Sequence, residues 1–269
     1  MAKKKLIPRP IFIMLVILVS AAVAVGIVIG ALYAYGLRYI KVPAGEGSDD
    51  FNKFFGIVDK NGAPHRGQII YANGMTAKVD SETGRITYSN GDVYVGGLAD
   101  LERHGHGTLT YANGDVYEGD FDMGVLSGQG KYTYVNGDAY EGGFYNGTKS
   151  GQGRYEWADG SVYEGGFKND RKDGEGKYTW ADGSVYEGGY TDDLKDGHGV
   201  YKYVNGDVYE GDFAADIRSG VGTYKWTNGE SYTGQFAENL PNGEGTYSWP
   251  DGRSYSGHFI NGEIARVEE

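Results

Sequence analysis

Two patterns of apolar residues divide the chain. From Ile11 to Leu37 no charged residue interrupts the sequence, between Arg9 and Arg38, a run longer than the roughly 20 residues needed to cross a hydrocarbon core. From about residue 67 onward, polar and apolar residues alternate instead, as in Lys131-Tyr132-Thr133-Tyr134 and Ala139-Tyr140-Glu141-Gly142-Gly143-Phe144, which is the two-residue period of a half-buried strand. The first pattern predicts a spanning helix over residues 11–37. The second predicts hairpins, because Asn-Gly or Asp-Gly separates the paired segments at residues 90, 113, 136, 159, 182, 205, 228 and 251. Such dipeptides accept the positive φ of the turns that fit strand twist.

The hairpins are repeats. Tyr94, Tyr117, Tyr140, Tyr163, Tyr186, Tyr209, Tyr232 and Tyr255 stand 23 residues apart, and a fixed period of this length is the signature of a repeat array. Glycines keep the same phase. Those at 119, 142, 165, 188, 211, 234 and 257 share the parity of the tyrosine two residues earlier, so they should leave room for a ring from an adjoining strand. A Gly-x-Gly pair precedes the second strand at constant offset, from Gly105/Gly107 to Gly243/Gly245. One hairpin is marginal alone, whereas stacked hairpins bury their rings in a core one layer thick.

Tyr117-Glu118-Gly119-Asp120-Phe121 followed by Gly128-Gln129-Gly130-Lys131-Tyr132, with its relatives from about Gly84 to Gly262, resembles the MORN repeat family. The resemblance implies an elongated rod or trough used for scaffolding, tethering and dimerisation. Its departures lie at the ends, where Leu98 and Leu109 replace aromatics and residues 67–93 keep only Tyr71, Asn73-Gly74, Gly84 and Tyr88; those imperfect units read as caps. The expected fold class is therefore all-β: an elongated single-layer antiparallel β-hairpin solenoid with one N-terminal transmembrane helix. The expected organisation is a basic cytoplasmic tail (1–10), the helix (11–37), a juxtamembrane linker (38–66), a degenerate capping repeat (67–93), the array (94–262) and a tail (263–269). The linker carries Phe51, Phe54 and Phe55 at helical spacing, read first as a cover for the edge of the first repeat and second as residues that dip into the membrane interface.

A cleaved signal peptide is the rival reading of the N-terminus, since Ala22-Val23-Ala24 imitates a cleavage site, but the run exceeds the usual 7–15 residues of such segments. Lys3, Lys4, Lys5 and Arg9 precede the run and only Arg38 and Lys41 follow it, which puts the N-terminus in the cytoplasm and the array outside it. Tyr33, Tyr35 and Tyr39 suit the membrane interface. Gly26 and Gly30 form a Gly-x-x-x-Gly pair that permits close helix approach and leaves homo-oligomerisation open.

Charge narrows the partners. Residues 42–269 hold 19 basic against 37 acidic residues, a net −18, which disfavours nucleic acid and anionic headgroups as ligands of the array, and no nucleic-acid partner is expected. Glu118, Glu141, Glu164, Glu187 and Glu210 occupy one phase and predict an acidic row opposite the tyrosines, a solvated face first and a cation or basic-peptide site second. On the tyrosine face, Tyr111, Tyr134, Trp157, Trp180, Tyr203, Trp226 and Trp249 form an aromatic row. Its residues Trp157 to Trp249 are the candidate interface anchors if they are exposed, and core if they are not.

The chain has no cysteine, and His104 and His106 have no companions at metal-ligand spacing. The Gly-x-Gly pairs lead into strands and are no nucleotide fingerprint. No catalytic residue, metal or cofactor is predicted. Two functions remain: a membrane-tethered scaffold whose rod, at roughly 4.8 Å per strand, reaches about 75 Å toward protein partners, and an envelope protein that holds a glycan or peptidoglycan strand on the aromatic row.

Overall fold

The computed structural model describes residues 9–44 and 49–265, with side chains continuous from Leu18 within the first helix. The basic flank Lys3–Lys5, the spacer Gly45–Ser48 and the tail 266–269 lie outside the described residues.

Helix α1 runs from Arg9 to Ala34, three residues short of the predicted end. Gly36 stops it: at φ +83° its N–H donates to Tyr33 O at 3.1 Å, a left-handed glycine closing the last turn. The Arg38 guanidinium completes the cap by donating to Tyr33 O at 2.7 Å and Leu37 O at 2.9 Å. Among the described residues no helix is long and apolar enough to cross a membrane, so the transmembrane helix expected over 11–37 is not found there. Gly26 and Gly30 face open space.

Two compact units follow the chain, Met1–Glu102 and Arg103–Glu269. In the first, the expected linker is sheet. Strands β1 (Leu37–Pro43), β2 (Phe51–Val58), β3 (Pro64–Ile70), β4 (Thr76–Asp80), β5 (Arg85–Tyr88) and β6 (Val93–Ala99) pair antiparallel, each with the next. The spacing of Phe51, Phe54 and Phe55 read as helical, but the period that acts is two: Asn52, Phe54 and Gly56 are buried while Lys53, Phe55 and Ile57 are exposed. Phe54 joins Ile69, Tyr71, Ala77, Val79, Ile86, Tyr88 and Tyr94 in the core of this unit. Buried Asn52 is satisfied on both sides, donating to Glu102 Oε1 at 2.7 Å and accepting from Ala72 N–H at 3.0 Å.

The second unit is a meander with a regular beat. Its strands are β7 (Glu102–Thr110), β8 (Val116–Asp122), β9 (Val125–Thr133), β10 (Ala139–Tyr145) and β11 (Thr148–Glu156). There follow β12 (Val162–Lys168), β13 (Arg171–Thr179), β14 (Val185–Thr191), β15 (Leu194–Lys202) and β16 (Val208–Ala214). The last are β17 (Ile217–Lys225), β18 (Ser231–Ala237), β19 (Leu240–Ser248), β20 (Ser254–Ile260) and the two-residue β21 (Glu263–Ile264). Each pairs antiparallel with its successor.

Two kinds of turn alternate, and the Asn-Gly and Asp-Gly pairs close the longer kind. Between β13 and β14, Gly183 N–H donates to Trp180 O and Trp180 N–H donates to Ser184 O, both at 2.9 Å. Only Gly183 has positive φ, +92°, so this is a turn ending in a left-handed glycine rather than a two-residue loop. The two-residue loops stand at the opposite ends of the strands. Asn169-Asp170 and Asp192-Asp193 join β12 to β13 and β14 to β15 with both residues at positive φ. Sequence reading assigned the paired positive φ to the wrong turn because Asn-Gly is the stronger local signal.

The tyrosines form the core. Tyr94, Tyr117, Tyr140, Tyr163, Tyr186, Tyr209 and Tyr232 have no exposed surface. From Tyr117 to Tyr232 each ring lies over the glycine of its own strand as well as the glycine opposite: a Cβ built on Gly165 or on Gly176 would run into Tyr163. The expectation of a ring supplied only from an adjoining strand is corrected accordingly. The Tyr163 hydroxyl donates to Gly166 O at 3.0 Å, which orients the ring. Phe167 meets it edge-on at 5.2 Å from the same repeat, and Tyr190 does so at 5.2 Å from the next. These T-shaped contacts make each core ring a joint between successive repeats.

Candidate functional site: a ladder of rings on the tyrosine face

Outside the buried tyrosines, and on the same face, the aromatic row and the Gly-x-Gly-x-Tyr row interleave. Ring centroids step from Tyr111 to Tyr132 at 5.7 Å, Tyr134 at 4.4 Å, Tyr155 at 5.9 Å, Trp157 at 4.5 Å, Tyr178 at 4.9 Å and Trp180 at 4.4 Å. The steps continue to Tyr201 at 5.1 Å, Tyr203 at 4.2 Å, Tyr224 at 5.8 Å, Trp226 at 4.6 Å, Tyr247 at 5.5 Å and Trp249 at 5.0 Å. All are half-buried. Trp157, Trp180, Tyr203, Trp226 and Trp249 are thus neither core nor free: one flank packs in the ladder and the other meets solvent. Burial raises the hydroxyls of the ladder tyrosines from Tyr132 to Tyr247, and Tyr134 is pushed up to about 12, first by desolvation and then by Asp170. The ladder is uncharged at neutral pH.

A row of cations, missed in the sequence, runs beside it. Lys149, Lys172, Lys195 and Arg218 are 23 residues apart, and each sits between a core tyrosine and a ladder ring. Lys149 Nζ is 5.7 Å from the Tyr140 centroid and 4.8 Å from Tyr155, and Lys172 Nζ is 5.7 Å from Tyr163 and 5.1 Å from Tyr178. Arg218 lies 5.5 Å from Tyr209 and 5.0 Å from Tyr224. Desolvation is the larger influence on Lys149 and Lys172, pulling both ammonium groups down, with Asp170 and Asp193 opposing it. Lys195 instead pairs with Asp216 at 2.7 Å. Stems packed on rings and heads held by ring faces are how such cations tolerate partial burial.

The residue after each turn glycine is the second feature that sequence reading passed over. Asp115 accepts from Val135 N–H at 2.8 Å and from the Tyr132 hydroxyl at 3.1 Å. Asp207 does the same with Thr227 N–H and the Tyr224 hydroxyl, both at 2.9 Å. Ser161 and Ser184 accept from Ala181 N–H at 3.0 Å and Val204 N–H at 3.2 Å. Each side chain staples its own turn to the next one. The backbone hydrogen bond from Val135 leads in holding the Asp115 carboxyl below the usual range. At Asp207, burial pushes upward, but the Thr227, Asn205 and Tyr224 donors outweigh it and the net direction is down. The signal was present in the 23-residue phase of these Asp and Ser positions.

The acidic row needs correction. Glu118, Glu141, Glu164, Glu187 and Glu210 are exposed opposite the tyrosines, but cross-strand pairing places Lys131 between Glu118 and Glu141, Arg154 between Glu141 and Glu164, and Lys177 between Glu164 and Glu187. Arg154 lies 3.3 Å from Glu164 and 2.6 Å from Glu156. The row is a ladder of alternating charge, because every second strand brings the other sign to the same level. Beyond Glu187 its alternate members are Val200 and Thr223. Gly26 and Gly30 lie on α1, in the other unit. Among the described residues no group of His, Asp or Glu could hold a metal ion.

The MORN repeat family model matches seven successive segments, 102–116, 117–139, 140–162, 163–185, 186–208, 209–231 and 232–252. No curated protein matches the chain. Among solved structures, the TCP domain of Drosophila melanogaster SAS-4 in complex with a proline-rich motif of Ana2 is 17% identical at a TM-score of 0.37, covering 61% of this chain and 94% of that one. The TCP10 domain of Danio rerio CPAP in complex with a STIL peptide is 13% identical at a TM-score of 0.38, covering 82% of this chain and 100% of that one.

Proposed function

The chain belongs to the MORN repeat family, and on that premise we propose that it is a non-catalytic, membrane-tethered scaffold that displays its array for protein–protein interaction at the cell envelope. The ring ladder carries this reading. Half-exposed tryptophans and tyrosines with their orientation already fixed lose little entropy on contact and are the residue types on which interface energy concentrates. Partly desolvated lysines beside them add donors for carbonyl or carboxylate groups of a partner. A sugar chain would need free hydrogen-bonding side chains along the rings, whereas Asp115, Asp138 and Asp207 are spent on turn N–H and tyrosine O–H donors.

The tether is supported by the uncharged run 11–37 and the helical course of Arg9–Ala34. With more positive charge before the run than after it, the N-terminus is cytoplasmic and the array extracytoplasmic. Two measurements test the proposal. Crosslinked pull-down of the full-length protein should recover one set of envelope proteins that Trp180→Ala and Tyr203→Ala both reduce; recovery unchanged by either substitution rejects the ladder as the interface. Protease added to intact cells should digest the array and leave the chain's first residues protected, in a protein that resists carbonate extraction. A carbonate-soluble chain rejects the tether.

A further inference from the structure

The face opposite the rings is built on a different plan from the ladder. From β9 to β14, cross-strand pairing sets three levels side by side. Gly142, Gly153, Gly165 and Gly176 form the middle one. Glu141, Arg154, Glu164 and Lys177 stand on one side of it, and Gln129, Gln152 and Glu175 on the other, each opposite a glycine. Because glycine carries no side chain, the middle level is a floor between two polar walls. The result is an open trough of about 630 Å³, within the range of roughly 300–1,000 Å³ typical of ligand sites. Its hydrogen-bonding groups are unpaired: among the described residues the side chains of Gln129, Gln152, Glu175 and Lys177 make no hydrogen bond or ion pair. Tyr145, on the same face of β10 as Glu141, is 67% exposed. Every other described tyrosine, phenylalanine and tryptophan of this unit is buried or half-buried.

We propose that this trough binds an extended β-1,4-linked chain of N-acetylated amino sugars. Every second strand repeats the walls, an advance of about 9.6 Å at roughly 4.8 Å per strand. A β-1,4-linked sugar chain in its extended two-fold form repeats every second sugar over nearly the same distance. Gln129 and Gln152 offer an amide donor and acceptor at that interval, the complement of an acetamido group. Glu141 and Glu175 accept from sugar hydroxyls, Lys177 donates to them, and the Tyr145 ring gives the flat side of a sugar a surface to rest on. Glu141, Glu164, Glu175 and Glu187 outnumber Arg154 and Lys177 around the trough, which turns away an anionic polymer and admits a neutral one. A polypeptide would find no anchor, since no aliphatic or aromatic side chain lines the trough and peptide interfaces concentrate their energy on such residues. The free hydrogen-bonding groups that the ring ladder lacks are therefore present on the other face of the same sheet, which can hold a polysaccharide and a protein at once. This site goes beyond the scaffold reading and does not depend on it.

Calorimetry of the full-length chain in detergent tests the site with chitopentaose, five β-1,4-linked N-acetylglucosamines. Two other sugars accompany it: cellopentaose, which has hydroxyls in place of the acetamido groups, and the deacetylated chitosan pentamer, which is cationic. Chitopentaose should bind, and cellopentaose about tenfold more weakly for the loss of about one amide hydrogen bond. Gln152→Ala should weaken chitopentaose about tenfold on the same ground, and Tyr145→Ala should weaken it too. Both side chains are exposed, so the melting temperature should not move. Absence of binding, equal affinity for chitopentaose and cellopentaose, tighter binding of the cationic pentamer, or a loss with Trp180→Ala that Gln152→Ala does not share would overturn the proposal. The crosslinked pull-down reads the ladder separately, and Gln152→Ala should recover the same proteins as the unaltered chain. A chain that binds chitopentaose through Gln152 while Trp180→Ala and Tyr203→Ala leave its protein partners unchanged refutes the ladder and keeps the trough.

Discussion

Replacing Gly165 with alanine places a methyl group where the structure has no room. The added Cβ would stand 2.5 Å from Gly176 Cα and 2.7 Å from both Glu175 O and the Tyr163 hydroxyl, against an ordinary contact of about 3.5–4.0 Å. Backbone and ring must each give by roughly 1 Å on that measure. Overpacking of this kind costs about 1–3 kcal/mol. Displacing Tyr163 also strains its bond to Gly166 O, about 1–3 kcal/mol if the hydroxyl is left unsatisfied, and loosens its two edge-on contacts. Against this, alanine restricts the unfolded chain by only about 0.4–1 kcal/mol. The sign is settled, and a net loss of about 2–4 kcal/mol follows from these terms. Hydrogen exchange of the full-length protein should show lost protection in β12 and β13 and their neighbours, with β18 to β20 less affected, as in a one-dimensional array. Glu164→Gln, next in sequence on the opposite face, should change stability by less than about 0.5 kcal/mol. If Gly165→Ala proves as mild as Glu164→Gln, or if protection is lost evenly from β7 to β20, the glycine row is not what seats the rings.

Asp115, Asp138 and Asp207 have folded pKa values below the usual carboxylate range, so their contribution is complete above about pH 3.9, the unfolded value, and is lost as pH falls through the lower folded values. Acid proteolysis should therefore cut the turns stapled by these residues before those stapled by Ser161 and Ser184; uniform cleavage would contradict the staple. Gly183→Ala meets no atom within 4 Å but must hold φ +92°, so it should cost about 1–2 kcal/mol from the backbone alone, less than Gly165→Ala in the same thermal melt.

The repeat period, the strand alternation and the core tyrosines were legible because each rests on spacing within one chain segment. What was misread depends on pairing between strands. The glutamates at one phase looked like an acidic row until Lys131, Arg154 and Lys177 entered from the neighbouring strands at the same level. The Asp115 and Asp207 staples and the Lys149 to Arg218 row were equally periodic, yet their meaning lies in donors and rings of the adjoining repeat. The linker was read as a helical cover because three phenylalanines invited that spacing, while Asn52, Phe54 and Gly56 were the buried set. Half-exposure of the ring ladder could not be read from parity at all, since core and ladder rings share one face and differ only in distance from the glycine row.

Site-specific photocrosslinking in living cells tests the scaffold reading most directly. A photoreactive phenylalanine analogue at Tyr203, in the ladder, should form a discrete adduct with another protein, while the same analogue at Glu210, exposed on the opposite face between Val200 and Thr223, should not. Adducts from Glu210 and none from Tyr203 would place the partner on the wrong side of the sheet and contradict the account.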